Sequence, residues 1–319
     1  MDSDMLDEID LQLLHALHID GRAPFSKIAE VLGVSDRTIA RRYGRLRATG
    51  GVRVTGITNS FRTGTAEWVV RMRVDPQGTA GLARALARRP DTAWVTAVSS
   101  GSEIVCIFRV PDDGPAPLAE LSRHPQITEV TAYRLLRYLM NRRWRARTSA
   151  LTAAQIEALR PPRFEELAPS ALTDLTELDR RLLPALAVDG RAAFPDLARR
   201  LGWSESAIRR RLDELRRAHI LHFDVETNPA LFGFTSQCVL WLTVAPSHLT
   251  TVSESLAADP DIAFVGAITG THNLLAIAVL PDTSGLYTYL TERLAGLPGI
   301  NLLESAPVTS YSKRAAPTT

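Results

Sequence analysis

Apolar residues recur at helical spacing near the start of the chain, at Leu6, Ile9, Leu13 and Leu17. This spacing places them along one face of an amphipathic helix. A second, shorter helical pattern covers residues 25–32, where the apolar positions again fall on one side. The chain therefore begins with two predicted helices whose apolar faces need a common core.

A turn and a third helix follow directly. Gly33 supplies the positive φ that a sharp turn between helices requires, and Ser35 is a favoured N-cap. The third helix places Ile39, Tyr43 and Leu46 on one side and arginines on or near the other. A short helix, a glycine turn and a serine-capped basic helix are typical of the helix-turn-helix motif that reads DNA. A small packing domain with a charged surface is the alternative.

The whole pattern recurs in the second half of the chain. Gly190 follows Gly21 by 169 positions, and the sequences on either side align without a gap. The motif Asp-Gly-Arg-Ala-x-Phe, here called the DGRA motif, stands in both copies at residues 20–25 and 189–194. The recurrence of this motif with the glycine turn, the serine cap and the basic helix indicates a duplication and weakens the packing-domain alternative.

Shorter alternating patterns follow each third helix. Residues 52–57 and 220–225 predict a β-ribbon wing. Beyond the wing, each copy shows the order βαββαβ, which is typical of a ferredoxin-like αβ sandwich. Both helices of such a domain cover one face of an antiparallel sheet, so the other face needs the sheet of another copy. The predicted elements are 67–74, 79–88, 93–99, 104–110, 117–123 and 127–139 in copy one, and 237–244, 248–257, 263–269, 274–280, 284–294 and 300–309 in copy two.

We therefore predict an α+β protein with two copies of a winged helix-turn-helix domain followed by a ferredoxin-like sandwich. Between the copies, Thr152 and Gln155 form a capping-box pattern, which predicts a short helix stopped by Pro161 and Pro162. The predicted segments are winged helix-turn-helix domains at 1–59 and 173–228, αβ-sandwich domains at 60–147 and 229–315, and a linker with a short helix at 148–172.

Composition changes this picture little. Apolar residues make up 45% of the chain and charged residues 23%, as in ordinary globular proteins, which argues against disorder or a fibrous repeat. The net charge of +2 does not by itself indicate a nucleic-acid partner. Cys106 and Cys238 lie in separate apolar segments, so neither a disulfide nor a metal pair is predicted. The acidic start and the short apolar runs predict a cytoplasmic protein that does not enter a membrane.

The assembled motifs resemble those of the Lrp/AsnC family of bacterial transcription regulators. The matching residues are the Leu-Asp-x-x-Asp-x-x-Leu-Leu pattern at 6–14, both DGRA motifs, Leu-Gly-x-Ser at 32–35, and Thr269 with Gly270 in the second sandwich. The resemblance implies a winged helix-turn-helix joined to a sandwich domain that oligomerises and senses amino acids. Most relatives carry one such module and dimerise. It therefore implies a covalent dimer that binds double-stranded DNA and self-associates further.

We expect DNA contacts from the serine caps and from the arginines of the third helices. Arg41 and Arg210 stand at equivalent positions and are expected to point into the major groove. Arg42 and Arg211 lie nearer the core and are expected to grip either phosphate or a structural carboxylate. The predicted DNA-binding residues are Ser35, Arg37, Thr38, Arg41, Arg42, Arg45, Ser204, Ser206, Arg209, Arg210 and Arg211.

The turn between the second and third sandwich strands is the candidate effector site. The resemblance implies that this turn binds an amino acid at an interface between sandwich domains, whereas composition alone fits a plain hairpin turn. Ser100 in copy one occupies the position of Gly270, so any effector is expected mainly at the copy-two turn. The predicted effector-binding residues are Thr269, Gly270, Thr271, His272, Asn273, Ser100, Gly101 and Glu103.

Two alternatives stay open on the sequence alone. The tandem scaffold also resembles siroheme decarboxylases, but those enzymes carry a Tyr-Asn-x-Trp type sequence near the third strand, and residues 272–275 and 103–106 lack its aromatic side chains. The second alternative is an oligomerisation or amino-acid-binding protein with vestigial helices. Histidines also pair three residues apart, but no cysteine or carboxylate completes a metal set, so no catalytic residue, metal or cofactor is predicted. The paired histidines are His15 with His18 and His219 with His222.

Overall fold

The chain forms two compact units, each built from two stretches of sequence. The helical unit contains Met1–Gly64 and Arg145–Phe232, and the sheet unit contains Thr65–Trp144 and Gly233–Thr319. Equivalent halves of the two copies therefore lie in the same unit, whereas the exact segment boundaries drawn from the sequence stay a prediction. The structure is a computed structural model that describes residues 6–114, 118–140, 149–161, 175–314 and 316–317.

The helices are numbered in chain order. Those that the structure describes are α1 Glu8–Ile19, α2 Phe25–Leu32, α3 Asp36–Ala48, α4 Thr79–Arg88, α5 Leu118–Leu121, α6 Ala153–Leu159, α7 Glu177–Val188, α8 Phe194–Leu201, α9 Glu205–Arg217, α10 Leu249–Ala258 and α11 Thr283–Thr288, which continues into a π-helical turn at Tyr289–Leu294. In the described part of the chain, no helix is long and apolar enough to cross a membrane.

The strands are numbered in the same way. They are β1 Val52–Thr58, β2 Thr65–Val74, β3 Thr92–Val98, β4 Glu103–Pro111, β5 Ile127–Tyr138, β6 Leu221–Thr227, β7 Ser236–Val244, β8 Ile262–Ile268, β9 Leu274–Leu280, β10 Ile300–Arg314 and the two-residue β11 Ala316–Pro317.

Local caps fix where the helices of the helical unit begin and end. Asp7 and Asp10 form a capping box at the start of α1, and Thr176 and Asp179 form one at the start of α7. Gly33 ends α2 with φ of +67°, in the left-handed region that the tight turn needs. Each helix-turn-helix then closes on its own apolar core. The central core residues are Leu13, Leu17, Ile28, Ile39 and Leu46 in copy one, and Leu182, Leu186, Leu197, Ile208 and Leu215 in copy two.

The wing requires a correction. The sequence predicts a ribbon after each third helix, but each copy supplies one strand, and β1 pairs antiparallel with β6 over its whole length. Val52 lies opposite Thr227 and Thr58 lies opposite Leu221. A lone strand would leave its backbone N–H and C=O groups without partners, so each strand pairs with its equivalent in the other copy. The two copies thus share one two-stranded ribbon.

The linker between the copies contains the predicted short helix. α6 begins at the capping box of Thr152 and Gln155 and buries Leu159 against the copy-one helix-turn-helix. The Gln155 amide donates to the carbonyl oxygen of Val31 at 3.2 Å. His15 Nδ1 accepts hydrogen bonds from two backbone N–H groups just before the helix, each at 3.2 Å. Residues 148 and 162–172 of the predicted linker, including Pro162, lie outside the described residues.

The sheet unit is a closed pair of four-stranded sheets. Its strand order is β3-β4-β2-β5-β8-β9-β7-β10, and β10 pairs again with β3. The first four strands belong to copy one and the last four to copy two, with helices α4 and α10 packed on the outer faces. Side chains of both inner faces form a common core that includes Val69, Val105, Leu135, Trp241 and Leu275. The predicted βαββαβ order and the cover of each sheet by the other copy are both confirmed.

Candidate nucleic-acid interface and candidate effector site

The third helix of copy one presents free arginines to solvent. The Ser35 hydroxyl caps α3 by accepting a hydrogen bond from the Thr38 N–H at 3.1 Å. Arg37 and Arg41 are exposed on the first two turns, and neither forms an ion pair with any residue that the structure describes. Their guanidinium groups are therefore available for guanine edges and phosphate oxygens.

Arg42 and Arg45 are held by carboxylates of the first helix. Arg42 donates to Asp7 at 2.6 Å and to Asp10 at 3.0 Å, and Arg45 also donates to Asp10, which is only 1% exposed. Burial raises the pKa of the Asp7 carboxyl, but hydrogen bonds from Arg42 and the Asp10 backbone outweigh it and leave the pKa lowered. These residues and Arg41 line a cleft beside α3. Of the two partners expected for Arg42, a phosphate or a structural carboxylate, the structure shows the carboxylate.

The third helix of copy two repeats this arrangement with changes. Arg211 donates two hydrogen bonds to Asp179 at 2.8 and 2.7 Å and a third to Glu214 at 2.8 Å. Arg210 is exposed but lies 3.7 Å from Glu214, and Arg209 stacks over the ring of Phe194 at 4.2 Å. Arg211 is therefore anchored as Arg42 is, whereas Arg209 and Arg210 reach solvent.

The capping serines and one substitution define how the two helices differ. The Ser204 hydroxyl accepts from the Ala207 N–H at 3.2 Å and lies 3.1 Å from the Ser206 hydroxyl. Glu214 occupies the position of Arg45, which turns a positive charge into a negative one beside the reading surface. The copy-two helix consequently presents a weaker positive surface than the copy-one helix.

The candidate effector turn of copy two is joined to the first sandwich. The Thr269 N–H donates to the Arg134 carbonyl at 3.0 Å, and the Thr269 hydroxyl accepts from the Arg134 N–H at 2.8 Å. Gly270 has φ of +101°, and a Cβ there would lie 2.8 Å from the ring of Tyr133. Thr271 is exposed beside them. Position 270 thus has a backbone conformation that favours glycine, and the turn is in direct contact with strand β5 of copy one.

The two remaining polar residues of this turn face inward. Asn273 pairs with the Val244 backbone through both amide atoms, at 2.9 Å to the N–H and 2.7 Å to the carbonyl. His272 is 4% exposed, with Nδ1 3.2 Å from the Thr243 hydroxyl and Nε2 3.3 Å from a Glu304 carboxylate oxygen. These side chains already have partners, so the exposed part of the turn is residues 269–271.

The equivalent copy-one turn has another conformation. Ser99 and Ser100 adopt positive φ of 52° and 57°, and Gly101 follows at 87°. The Gly101 carbonyl accepts a hydrogen bond from the Thr79 hydroxyl. Glu103 is buried and accepts two hydrogen bonds from Arg71, at 2.8 and 3.1 Å. Of the residues predicted here, only Ser100 is exposed.

Sequence reasoning missed a charged network that crosses the inner core of the sheet unit. Arg71 of copy one donates to Glu304 of copy two at 2.7 Å and lies 5.3 Å from the ring centre of Trp241. Hydrogen bonds from Arg71 lower the pKa of Glu304, although burial raises it. Arg71 and Trp241 hold equivalent positions in the two copies. The available signal was an arginine on the inward-facing side of the alternating β2 pattern.

Together these features define a class of protein. Two helix-turn-helix domains with serine-capped basic helices are joined to a pair of closed sandwich domains, as in DNA-binding regulators that carry a ligand-binding domain. Residues 6–47 and 175–216 each match the AsnC-type helix-turn-helix domain, and residues 237–317 match the Lrp/AsnC ligand binding domain.

Curated relatives point the same way. An uncharacterized HTH-type transcriptional regulator of Pyrococcus abyssi is 29% identical over 148 residues, which span 46% of this chain and 94% of the relative. Another, from Pyrococcus furiosus, is 31% identical over 140 residues, which span 44% of this chain and 95% of the relative. The chain belongs to the Lrp/AsnC family of transcription regulators, in a tandem-duplicated form.

The solved structures similar to this chain include one that covers both copies. The siroheme decarboxylase NirDL aligns with a TM-score of 0.64 over 97% of this chain and 93% of the enzyme, at 16% identity. At that identity the likeness concerns the fold alone.

Proposed function

We propose that this regulator binds one DNA duplex through α3 and α9 together, and that Arg41 and Arg210 read bases in the major groove. The observation that carries the proposal is the pair of equivalent, exposed arginines on two serine-capped helices of one compact unit. Arginine suits bidentate contact with guanine as well as phosphate binding. We call α3 and α9 the reading helices. Arg42 and Arg211 support them by forming ion pairs that hold each reading helix against the first helix of its own domain.

The test is an electrophoretic mobility shift with the DNA upstream of the protein's own gene. We expect specific binding that weakens steeply with salt, because the exposed arginines displace counterions from phosphate. An unrelated duplex of equal length is the control. If both duplexes bind equally at all salt concentrations, the protein does not read sequence, which would favour an oligomerisation protein with vestigial helices.

A first prediction concerns the symmetry of the target. The reading helices begin with different residues, Asp36-Arg37-Thr38 in copy one and Glu205-Ser206-Ala207 in copy two. Different side chains at the helix start should prefer different bases. Selection from random duplexes is expected to yield two related but unequal half-sites. A consensus that is perfectly palindromic would contradict the prediction.

For regulation we propose an amino acid or a related small acid as effector, bound at the exposed residues 269–271 of the copy-two turn. The support is the family's ligand-binding domain over residues 237–317 and the exposure of Thr269 and Thr271, whose hydroxyls can donate to a carboxylate. An effector acts only if it binds one assembly state better than another, since equal affinity shifts no equilibrium.

A second prediction tests that site with Gly270→Val. A side chain at 270 would need φ of +101° and would meet the Tyr133 ring at 2.8 Å, so the turn has to move. Calorimetry with a panel of amino acids is expected to give binding heat with wild type and none with the variant. Arg84→Ala, at an exposed position of α4 outside both turns, is the control and should retain the heat. Binding heat that persists in Gly270→Val would place the effector site elsewhere. If wild type gives no heat with any ligand, the segment is a plain hairpin turn without a binding role.

We further propose that the chain acts in the cytoplasm, that its closed sheet unit replaces the dimer of single-module relatives, and that it self-associates through other surfaces. Light scattering of the purified protein measures this self-association.

We do not propose catalysis. A visible spectrum recorded after mixing the protein with siroheme is expected to stay that of free siroheme, and a shifted Soret band would support the decarboxylase alternative.

A further inference from the structure

The two DGRA motifs meet each other in the helical unit. Arg22 donates to the carbonyl oxygens of Gly190 and Ala192, at 2.6 and 3.2 Å. Arg191 returns the contact with hydrogen bonds of 2.7 and 2.9 Å to the carbonyls of residues 21 and 23. Each arginine therefore binds two backbone carbonyls of the other copy's motif, in a reciprocal arrangement typical of a two-fold interface.

The aromatic residue of each motif completes this contact. The Arg22 guanidinium lies 4.8 Å from the ring centre of Phe194, and that of Arg191 lies 4.2 Å from the ring centre of Phe25. Cations at this distance over a ring are attracted to its face. Burial, with the nearby positive charges of Arg191 and Arg216, lowers the pKa of Arg22 to about 10. Two half-buried guanidinium groups are thus kept close together, which costs free energy unless their hydrogen bonds are well satisfied.

The same motifs also hold the reading helices. Arg47, in the last turn of α3, pairs with Asp189 of the copy-two motif at 2.8 Å. Arg216, in the last turn of α9, lies 3.4 Å from Asp20 of the copy-one motif. Each reading helix is therefore tied at its carboxyl-terminal end to the DGRA motif of the other copy. A further ion pair, between Arg53 and Glu226 at 2.6 Å, joins the two strands of the shared ribbon.

Glycine in the motif lets the ribbon approach. A Cβ on Gly190 would lie 3.0 Å from Val54 and from the backbone of Thr55, and a Cβ on Gly21 would lie 3.0 Å from Val54. The Gly190 N–H donates to the Val54 carbonyl at 2.8 Å. Both motifs, both reading helices and the shared ribbon are consequently packed into one contact region of the helical unit.

We propose that the paired DGRA motifs fix the separation of α3 and α9, and that Arg22 and Arg191 thereby select the spacing between the two half-sites on DNA. The inference rests on the proposed function, because it matters only if both helices bind one duplex. The spacing of two half-sites follows from the distance between the two recognition helices. Each added base pair also rotates one half-site around the duplex axis relative to the other, so a fixed pair of helices fits one spacing best. Arg22 and Arg191 are positioning residues: their donors are used on backbone carbonyls, and they act through the helices.

The experiment compares affinities for a series of duplexes whose half-sites are moved apart or together by one to five base pairs. Wild type is expected to prefer one spacing by about tenfold or more over neighbours two base pairs away, which equals about 1.4 kcal/mol. The double variant Arg22→Lys with Arg191→Lys keeps both charges but loses the bidentate hydrogen bonds. It should bind the preferred spacing more weakly, bind the other spacings better relative to it, and bind a single half-site as wild type does. Arg180→Ala, an exposed residue of α7, is the control.

A merely structural role for the arginines would weaken binding at every spacing alike, and that result, or unchanged spacing preference, overturns the proposal. If the lysine variant fails to fold by circular dichroism, the pair Arg47→Ala with Arg216→Ala decides, because it cuts the ties to the helices and leaves the hydrogen bonds of Arg22 and Arg191 to the backbone carbonyls in place. Failure of wild type to bind any spacing specifically overturns the proposed function instead, which keeps the two results apart.

Discussion

The double variant Arg41→Ala with Arg210→Ala is expected to lose about 30-fold to 20,000-fold in affinity for the specific duplex. Each arginine that reads a base contributes roughly 1–3 kcal/mol, and the two residues lie on separate helices, so their losses should add. Both side chains are exposed, and alanine favours the helix, so the fold should be kept. Fluorescence anisotropy at moderate salt measures the loss.

The single variants should differ from each other. Arg210 lies 3.7 Å from Glu214, whereas Arg41 forms no ion pair within the described residues. A carboxylate that competes for a guanidinium weakens its contact with DNA, so Arg41→Ala is expected to cost more than Arg210→Ala. The control is Arg84→Ala, which removes an exposed arginine from α4 in the sheet unit. Unchanged affinity in the double variant would show that these residues do not read the duplex.

The parts of the fold set by short-range rules were predictable from sequence. The serine caps, the glycine turn and the capping box of α6 are decided within about four residues, and the structure has them where the pattern places them. The alternation of apolar residues likewise placed the strands of both sandwiches, because one face of each sheet is buried by helices and the other by the second sheet.

The parts that depend on contact between the copies were not predictable. The apolar pattern of a wing strand is the same whether the strand pairs within its own copy or with the other copy. The sequences of β1 and β6 therefore did not indicate that the two strands pair with each other. The arginine of the DGRA motif looks like an ordinary surface residue until the other motif faces it. For the effector turn, the sequence did not distinguish the exposed residues 269–271 from His272 and Asn273, whose side chains are engaged by residues of their own sheet.

The duplication also shows how one position serves two environments. Arg71 and Trp241 are equivalent in sequence and meet on the inner side of the paired sheets, where a symmetric pair of arginines would repel. Tandem fusion allows the two copies to differ at such a position. The same freedom at Arg45 and Glu214 makes the reading helices unequal.

The largest expected loss of stability comes from Asp179→Ala. The Asp179 carboxylate is fully buried and accepts two hydrogen bonds from Arg211 and two from Thr176, at the capping box of α7. Removing one partner of a buried ion pair costs about 3–5 kcal/mol because the other charge is left unpaired. Arg211 keeps its contact with Glu214, so we expect about 2–4 kcal/mol, measured by urea unfolding followed by circular dichroism. Asp196→Ala, which breaks an exposed pair on α8, is the matched control and should cost less than about 0.5 kcal/mol.

The same residue should make the helical unit sensitive to acid. Burial raises the pKa of Asp179, but hydrogen bonds from Arg211 and Thr176 outweigh it, so the pKa in the folded chain lies below its ordinary value. A group with a lowered folded pKa stabilises the fold above its unfolded pKa of about 3.9, and this contribution is lost as pH falls through the folded pKa. The free energy of unfolding of wild type is therefore expected to decrease as the pH falls below about 5. The free energy of unfolding of Asp179→Asn should decrease less over the same pH range. Equal acid sensitivity of the two proteins would show that the Asp179 carboxylate does not contribute to it.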